Sequence, residues 1–270
     1  MYYSGTSLSF ILFALACIAL TVQGCYIDPE NKKESESKSN CQSVKTDFRK
    51  THEGWTITGD ETTYAFTAEN GLEMKLNEPW QYTREIDQES GLPYNVHAGA
   101  GPVLNYTTYL QYGTFAATMK TTNVGGAITA FIGMGDGGDE IDYEILGGDK
   151  DHVQSNYFYG KNIVYGANGA VNQIPGNADP STGFHNYEVS WAPSKITWLI
   201  DGKIVRTKTR ASTKNKDGQY EYPTEPLRIQ LGLWDGSTAP WTAEWANGPI
   251  DWSKQKSPVV TYVRDVTITC

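Results

Sequence analysis

The feature that most constrains the fold is a succession of short strand-like runs separated by glycine, proline, asparagine and aspartate. No stretch keeps the i, i+3, i+4, i+7 spacing of an amphipathic helix beyond a couple of turns. The predicted strands are 114–121, 127–134, 140–146, 153–159, 187–191, 196–200, 204–208, 227–234 and 259–269. Tight turns are predicted at 192–195 and at Asp201-Gly202. This pattern predicts an all-β protein built as a sandwich or barrel.

Alternation within these runs separates an apolar face from a polar or aromatic one, because successive side chains of a strand point to opposite faces. The residues predicted on the polar faces of three runs are Glu140, Asp142 and Glu144; Gln154, Asn156 and Phe158; and Arg228, Gln230 and Trp234. Strands of this kind are expected to line a wet cleft of the size of a sugar chain.

Length and charge limit the remaining possibilities. The chain has 270 residues and a formal net charge of −9, with no run rich in lysine or arginine. This excludes a basic surface for nucleic acid or for an anionic membrane. The apolar stretch 8–22 is shorter than a bilayer span and predicts a signal peptide over 1–24, hence a secreted protein. The polar segment 25–45 is predicted as an N-terminal arm, and 46–270 as one catalytic domain, expected to be a monomer.

The cysteines and histidines do not predict a metal site. Beyond the predicted signal peptide, Cys25, Cys41 and Cys270 remain, so an oxidising compartment predicts one disulfide and one leftover thiol. Cys25 with Cys41 would close a short loop, and Cys270 could instead pair with either. The four histidines are scattered and no C-x-x-C occurs, so neither a metal nor another cofactor is expected. Asn105-Tyr-Thr107 is an N-glycosylation sequon.

Three acids on one strand face are the strongest indication of chemistry. Ionising all three produces repulsion that raises the pKa of at least one, so a carboxylate and a carboxylic acid can face one cleft. Glycoside cleavage needs that pair, with Glu140 as nucleophile, Glu144 as acid and base, and Asp142 between them. Residues i and i+4 have Cα atoms about 13 Å apart, whereas retaining carboxyl groups lie about 5–5.5 Å apart. A solvated strand face, or a calcium site that includes Asp139, is the alternative.

The segment 138–148, GDEIDYEILGG, resembles the active-site strand of glycoside hydrolase family 16. The segments VQSNYF at 153–158, FHNYEVSW at 184–191 and ITWLIDG at 196–202 are similar to the following segments of the fungal Crh cell-wall transglycosylases. Trp234 and the segments AEWANG at 243–248 and IDWS at 250–253 resemble the closing region of that family. The resemblance covers roughly residues 46–269.

The resemblance implies an antiparallel β-jelly-roll sandwich, concanavalin-like, whose concave face binds a linear polysaccharide. It also implies retaining chemistry by the three acids in the roles given above. The residues it places along the substrate are Gln154, Asn156, Tyr157, Phe158, Trp234, Glu244 and Trp245. His185, Trp191, Trp198 and Trp252 are instead expected to be structural.

Three functions remain open at this point. The first is a secreted transglycosylase of the cell wall that moves a chitin-type or β-glucan donor onto a β-glucan acceptor. The second is an endo-β-glucanase that releases the same intermediate to water. The third is a lectin-like domain that binds glycans without catalysis, which the intact acids disfavour.

Overall fold

The computed structural model describes residues 41–161, 164, 166–255 and 258–270. The predicted signal peptide and most of the predicted arm lie outside these residues. Within them no helix is long and apolar enough to cross a membrane. The first strand begins at Val44, two residues before the predicted start of the catalytic domain.

The described chain is built almost entirely from strands. In chain order they are β1 Val44–Asp47, β2 Trp55–Thr58, β3 Tyr64–Thr67, β4 Gly71–Leu76, β5 Arg84–Ile86, β6 Pro93–Asn95, β7 Val103–Leu110, β8 Gly113–Lys120, β9 Ala127–Met134, β10 Glu140–Leu146, β11 His152–Phe158, β12 Ala170–Gln173, β13 His185–Ala192, β14 Lys195–Ile200, β15 Lys203–Thr209, β16 Leu227–Asp235 and β17 Val259–Thr269. The helix α1 is Pro240–Trp245, and single 3-10 turns occur at Glu61–Thr63, Arg210–Thr213, Gly236–Thr238 and Trp252–Lys254. Every predicted strand is present, within two residues at each end.

Two antiparallel sheets form a sandwich, which confirms the predicted fold class. The outer sheet has the order β15-β14-β13-β8-β17-β4-β3, with β1 beside β17. The inner sheet has the order β12-β11-β10-β9-β16-β7-β2. The inner sheet therefore places β10 next to β9 and β11, two strands away from β16.

The core lies between the sheets and is filled by the apolar faces that alternation predicts. Trp191 and Trp198 are almost completely buried there, as expected for structural tryptophans. Both predicted hairpins are present: Ala192 pairs with Lys195, and β14 pairs with β15 across the second turn. Asp201 and Gly202 have φ of 50° and 73°, the left-handed conformation that a two-residue turn of this type requires.

A disulfide resolves the cysteine alternatives. Cys41 is bonded to Cys270, with the two Cα atoms 5.9 Å apart and a sequence separation of 229 residues. The bond joins the segment before β1 to the residue after β17, and these two strands also pair with each other. Cys25 lies outside the described residues.

Candidate active site

The three predicted acids share one face of β10. Ile141, Tyr143 and Ile145 are fully buried in the core between the sheets. Because side chains alternate along a strand, Glu140, Asp142 and Glu144 point to the opposite face of the inner sheet, the one that the family resemblance predicts to be concave and that is called the concave face below. The predicted orientation of this strand is therefore confirmed, whereas the catalytic roles of the acids remain a prediction.

The strands on either side of β10 supply the surroundings of each carboxyl group. The residues opposite the acids are Phe158 and Met134 for Glu140, Asn156 and Ile132 for Asp142, and Gln154 and Ala130 for Glu144. The β9 side is thus apolar and the β11 side is mainly polar. Asp142 and Glu144 are only 2% and 6% exposed, so these acids are largely desolvated before any substrate arrives.

Burial and mutual repulsion change the protonation of the site. Burial raises the pKa of Glu140 and Glu144 well above the usual range, and the charge of Asp142 raises both further. Burial also raises the pKa of Asp142 to about 7, although a hydrogen bond with Glu140 and the charge of Arg206 act to lower it. The three groups cannot all be ionised near neutral pH. At least one of them is therefore protonated there, and glycoside cleavage needs such a carboxyl group together with a carboxylate.

The outer sheet holds β10 in place from behind. The indole Nε1 of Trp198 donates a hydrogen bond to the backbone oxygen of Asp142 at 3.0 Å. The hydroxyl of Tyr143 donates to the backbone oxygen of Leu199, also at 3.0 Å. Both bonds join β10 to β14 across the core. They therefore restrain the distance between the middle of the acidic strand and the outer sheet.

Arg206 on β15 adds a positive charge behind the acids. Its guanidinium lies over the ring of Trp198, 4.4 Å from the ring centroid, and donates to the oxygens of Ser155 and Asn168. Its charge attracts that of Asp142, which opposes the effect of burial on the pKa of that carboxyl group. No pattern in the sequence indicates this residue, because it lies in an ordinary polar run on an edge strand.

The carboxylate of Asp139 is occupied by hydrogen bonds from the backbone. Its carboxylate accepts hydrogen bonds from the backbone N–H groups of Gly160, Thr224 and Glu225. The preceding Gly138 has φ of 102°, and a Cβ there would lie 2.4 Å from the oxygen of Gly160. These contacts shape the turn that leads into β10, and they argue against the alternative calcium site with Asp139 as a ligand. By contrast, the Oδ1 atom of Asp142 is buried and has no hydrogen-bond partner among the described residues.

A cluster of two aspartates and a histidine outside this face has potential metal-ligand atoms close together. Asp149, Asp151 and His152 offer atoms within 4.8 Å of one another in the turn between β10 and β11. The His152 ring already pairs with Asp151 at 2.7 Å, and Asp149 accepts the backbone N–H of His152. These internal bonds account for the cluster, which gives no reason to expect a cofactor.

The predicted substrate residues of β11 are divided between the two faces. Gln154, Asn156 and Phe158 lie opposite the acids of β10 and share their face. Tyr157 is 1% exposed and packs in the core, on the face opposite to Asn156. The prediction of Tyr157 as a substrate-binding residue is wrong for this reason, since alternation turns its ring away from the cleft.

Aromatic residues stand at the Glu144 end of the concave face. Trp234 on β16 and Trp245 at the end of α1 stack with ring centroids 6.3 Å apart and both are half-buried. They pack against Leu146, which follows Glu144 on the same face of β10. Glu244 is exposed on α1. Trp234 and Trp245 therefore lie near Leu146, at the Glu144 end of the face that carries the acids, and their role in substrate binding remains a prediction.

His185 and Trp252, which were expected to be structural, each make a contact with an aspartate. The Nδ1 atom of His185 lies 2.7 Å from a carboxylate oxygen of Asp201 in the adjacent turn. Trp252 is buried and donates to Asp235 at 3.3 Å. Asn105 of the sequon lies within β7, opposite Gln230 of β16.

A family model described as Glycosyl hydrolases family 16 matches residues 49–254. Among curated relatives, Crh-like protein UTR2 of Candida albicans is 41% identical over 182 residues, covering 65% of this chain and 38% of its own length. Crh-like protein 3 of Botryotinia fuckeliana is 35% identical over 210 residues, covering 73% of this chain and 46% of its own length. The chain thus spans less than half of either relative.

Solved structures share the fold. Crh5 transglycosylase in complex with NAG superposes with a TM-score of 0.70 at 27% identity, covering 86% of this chain and 85% of that chain. A β-glucanase of Bacillus licheniformis has a TM-score of 0.65 at 20% identity, covering 86% and 99% of the two chains. The second similarity is one of fold alone.

Proposed function

Because the chain belongs to glycosyl hydrolase family 16, we propose that it is a retaining transglycosylase of the cell wall. It cleaves a chitin-type β-1,4-linked or β-glucan donor and transfers the released chain to a β-glucan acceptor. The observation that carries this proposal is the set of three carboxyl groups on one face of β10, with Glu140 half-buried, Asp142 and Glu144 buried, and the pKa of each raised. The similarity to Crh-like proteins and to a Crh5 transglycosylase that binds NAG supports the choice of reaction and substrate.

The protonation of the three acids suits a double displacement. Glu140 attacks the anomeric carbon as a carboxylate while protonated Glu144 donates its proton to the departing glycosidic oxygen. Glu144, now a carboxylate, takes the proton of an incoming hydroxyl group, which attacks the same carbon and releases Glu140. Asp142, with a pKa of about 7, shares a hydrogen bond with Glu140, so a proton gained or lost by one of these two groups changes the pKa of the other.

The choice between transfer and hydrolysis depends on what occupies the site after the first step. An acceptor sugar held in line gains an advantage over water that amounts to about 7–11 kcal/mol in the best intramolecular models. Trp234 and Trp245 form an aromatic surface beside Glu144, the residue that activates the acceptor. Indole rings suit stacking on sugars, because a sugar ring has an apolar face and polar edges.

We also propose that the protein is secreted and acts as a monomer outside the cell. The disulfide between Cys41 and Cys270 is consistent with an oxidising compartment. The predicted leader over 1–24 and arm over 25–45 complete this proposal, with 46–270 as the catalytic domain.

The experiment combines an unlabelled chitin or β-glucan donor with a fluorescent β-glucan oligosaccharide as acceptor. Transfer is expected to produce labelled polymer, and Glu140→Gln is expected to lower the rate by about 10³-fold or more. New reducing ends without labelled polymer would instead identify an endo-β-glucanase. Retained glycan binding with neither product from the wild-type protein would identify the lectin-like alternative.

A further inference from the structure

A second polar group lies on the same concave face, beside Glu140 and away from the Trp234–Trp245 pair. In the register of the inner sheet, Glu140 of β10 lies opposite Met134, Met134 lies opposite Arg228 of β16, and Arg228 lies opposite Tyr109 of β7. These four side chains form one row across the sheet. Since neighbouring strands are about 4.8 Å apart, Arg228 lies about 10 Å to one side of Glu140.

The guanidinium of Arg228 has no acceptor within the part of the chain that the structure describes. Its Nε atom is buried and makes no hydrogen bond with the described residues. Its Cζ atom lies 5.9 Å from the centroid of the Tyr109 ring. A buried donor without a partner is costly, so a donor of this kind on the floor of a cleft is suited to an incoming acceptor.

The neighbouring residues supply the complementary acceptors. The hydroxyl of Tyr109 donates to both carboxylate oxygens of Asp136, at 2.9 and 3.1 Å. This bond holds Asp136 at the turn after β9, where it is exposed. The group therefore presents an arginine donor next to a phenol oxygen and a carboxylate, both of which can accept hydrogen bonds.

We propose that Arg228, Tyr109 and Asp136 form a glycan subsite that binds the hydroxyl groups of a neutral sugar distant from the bond being cleaved. Mixed donors and acceptors match hydroxyl groups, which both donate and accept, whereas Asp136 repels the carboxylate of an acidic sugar. The inference rests on the proposed function, because it assumes that a polysaccharide lies across the concave face. It adds a specificity for chain length, since a short oligosaccharide at the acids does not reach Arg228.

The test compares short and long neutral oligosaccharides with the wild-type protein, Arg228→Met and Tyr109→Phe. Arg228→Met replaces arginine by an apolar side chain of similar length and so removes the N–H donors of the guanidinium group. We expect the kcat/KM of long substrates to fall by about 10–100-fold for Arg228→Met, with less than about a threefold change for short ones. A smaller loss with the same length dependence is expected for Tyr109→Phe, because Asp136 loses its anchor.

Arg210→Met is the matched control. Arg210 also has a buried Nε without a partner and also lies over a tyrosine, Tyr220, with Cζ 4.4 Å from the ring centroid. It follows β15 of the outer sheet, so its loss is expected to leave both substrate lengths unaffected. Thermal melting of every variant shows whether the fold is retained.

Equilibrium binding in the Glu140→Gln background separates the two proposals. Weaker binding of long oligosaccharides to Glu140→Gln/Arg228→Met than to Glu140→Gln supports the subsite. Equal binding by these two proteins, or an equal loss for short and long substrates, would overturn the subsite and leave the proposed function intact. No glycan binding by Glu140→Gln, together with no activity of the wild-type protein, would overturn both.

Discussion

Asp142 differs from the structural acids of this protein in what its carboxyl group contacts. Asp139 accepts three backbone N–H groups, and Asp235 accepts N–H groups from Gly99, Ser237 and Trp252. Asp142 is buried just as deeply but shares a hydrogen bond with another carboxyl group and keeps Oδ1 without a partner. An acid in this state is costly to ionise and is free to exchange its proton, which suits a role in the reaction better than a role in folding.

The raised pKa of Asp142 predicts how stability depends on pH. A carboxyl group with a pKa of about 7 in the folded state and about 3.9 in the unfolded state stabilises the fold below pH 4. That contribution is lost as the pH rises towards 7. Asp142→Asn removes the loss, so the variant is expected to be more stable than the wild type by on the order of 4 kcal/mol at pH 8, with little difference at pH 4. Denaturant unfolding at both pH values measures this.

Asp251→Asn is the control, because the pKa of Asp251 is lowered by folding whereas that of Asp142 is raised. Asp251 pairs with Lys254 at 2.7 Å, and hydrogen bonds with Lys254 and Ser253 lower its pKa to about 2. Its contribution is present above pH 4 and lost as the pH falls towards 2, so the Asp251→Asn variant is expected to be less stable than the wild type at neutral pH. Parallel pH profiles of the wild type and Asp142→Asn would contradict the assignment of a raised pKa to Asp142.

At the scale of single residues, sequence patterns identified the acids but not their protonation. The period of two in β10 places Glu140, Asp142 and Glu144 on one face whatever surrounds them. Their protonation depends on burial beside β9 and β11, which are joined to β10 by turns, and for Asp142 also on the charge of Arg206, which is distant in sequence. Tyr157 shows the converse: its own alternation with Asn156 indicated the core, but the family resemblance suggested the cleft.

At the scale of elements, the closing segment after β16 positions the second aromatic ring. Pro240 starts α1 at its first position, where a missing N–H costs nothing, and the short helix ends at Trp245. Asn247 with φ of 59° then reverses the chain. The helix itself carries Trp245 to Trp234, so the two rings stack with centroids 6.3 Å apart and form one surface near Leu146.

Trp245→Ala tests whether this surface holds the acceptor. Removing the ring is expected to lower the rate of labelled transfer by about tenfold while hydrolysis of the same donor falls less, because water needs no aromatic support. The assay measures labelled polymer and total reducing ends in one reaction. Trp241→Ala, on the same helix but 41% exposed, is the comparison variant. Equal losses of transfer and hydrolysis in Trp245→Ala would count against an acceptor role.

The prediction of elements was most complete after residue 113, where strands are long and turns are marked by glycine or asparagine. The strands before Gly113 were not predicted individually. β7 is one of these strands, and its pairing with β16 is irregular: Arg228 and Gln230, two positions apart, lie opposite Tyr109 and Asn105, four positions apart. The extra residues of β7 form an irregularity in the ladder that composition and periodicity do not reveal. Tyr109 was not assigned to the concave face from the sequence.

At the scale of the whole molecule, the sandwich provides a rigid rear support for one reactive strand. β14 of the outer sheet bonds to β10 through Trp198 and Tyr143, and the disulfide joins the two ends of the described chain at the outer sheet. Composition and periodicity predicted two layers of strands but not which cysteines meet, because pairing depends on how the ends of the chain return to each other. The family resemblance supplied the jelly-roll arrangement that local patterns could not.

The central claim is that Glu140 forms a covalent bond with the donor sugar and that Glu144 assists both steps. Intact-mass analysis of Glu144→Gln, incubated with a donor that carries an activated leaving group, tests this directly. The activated group departs without acid assistance, whereas release of the intermediate still needs the missing base. We predict a protein mass increased by one glycosyl unit, mapped by peptide analysis to Glu140. Turnover of that donor without any adduct, or an adduct on another residue, would contradict the account.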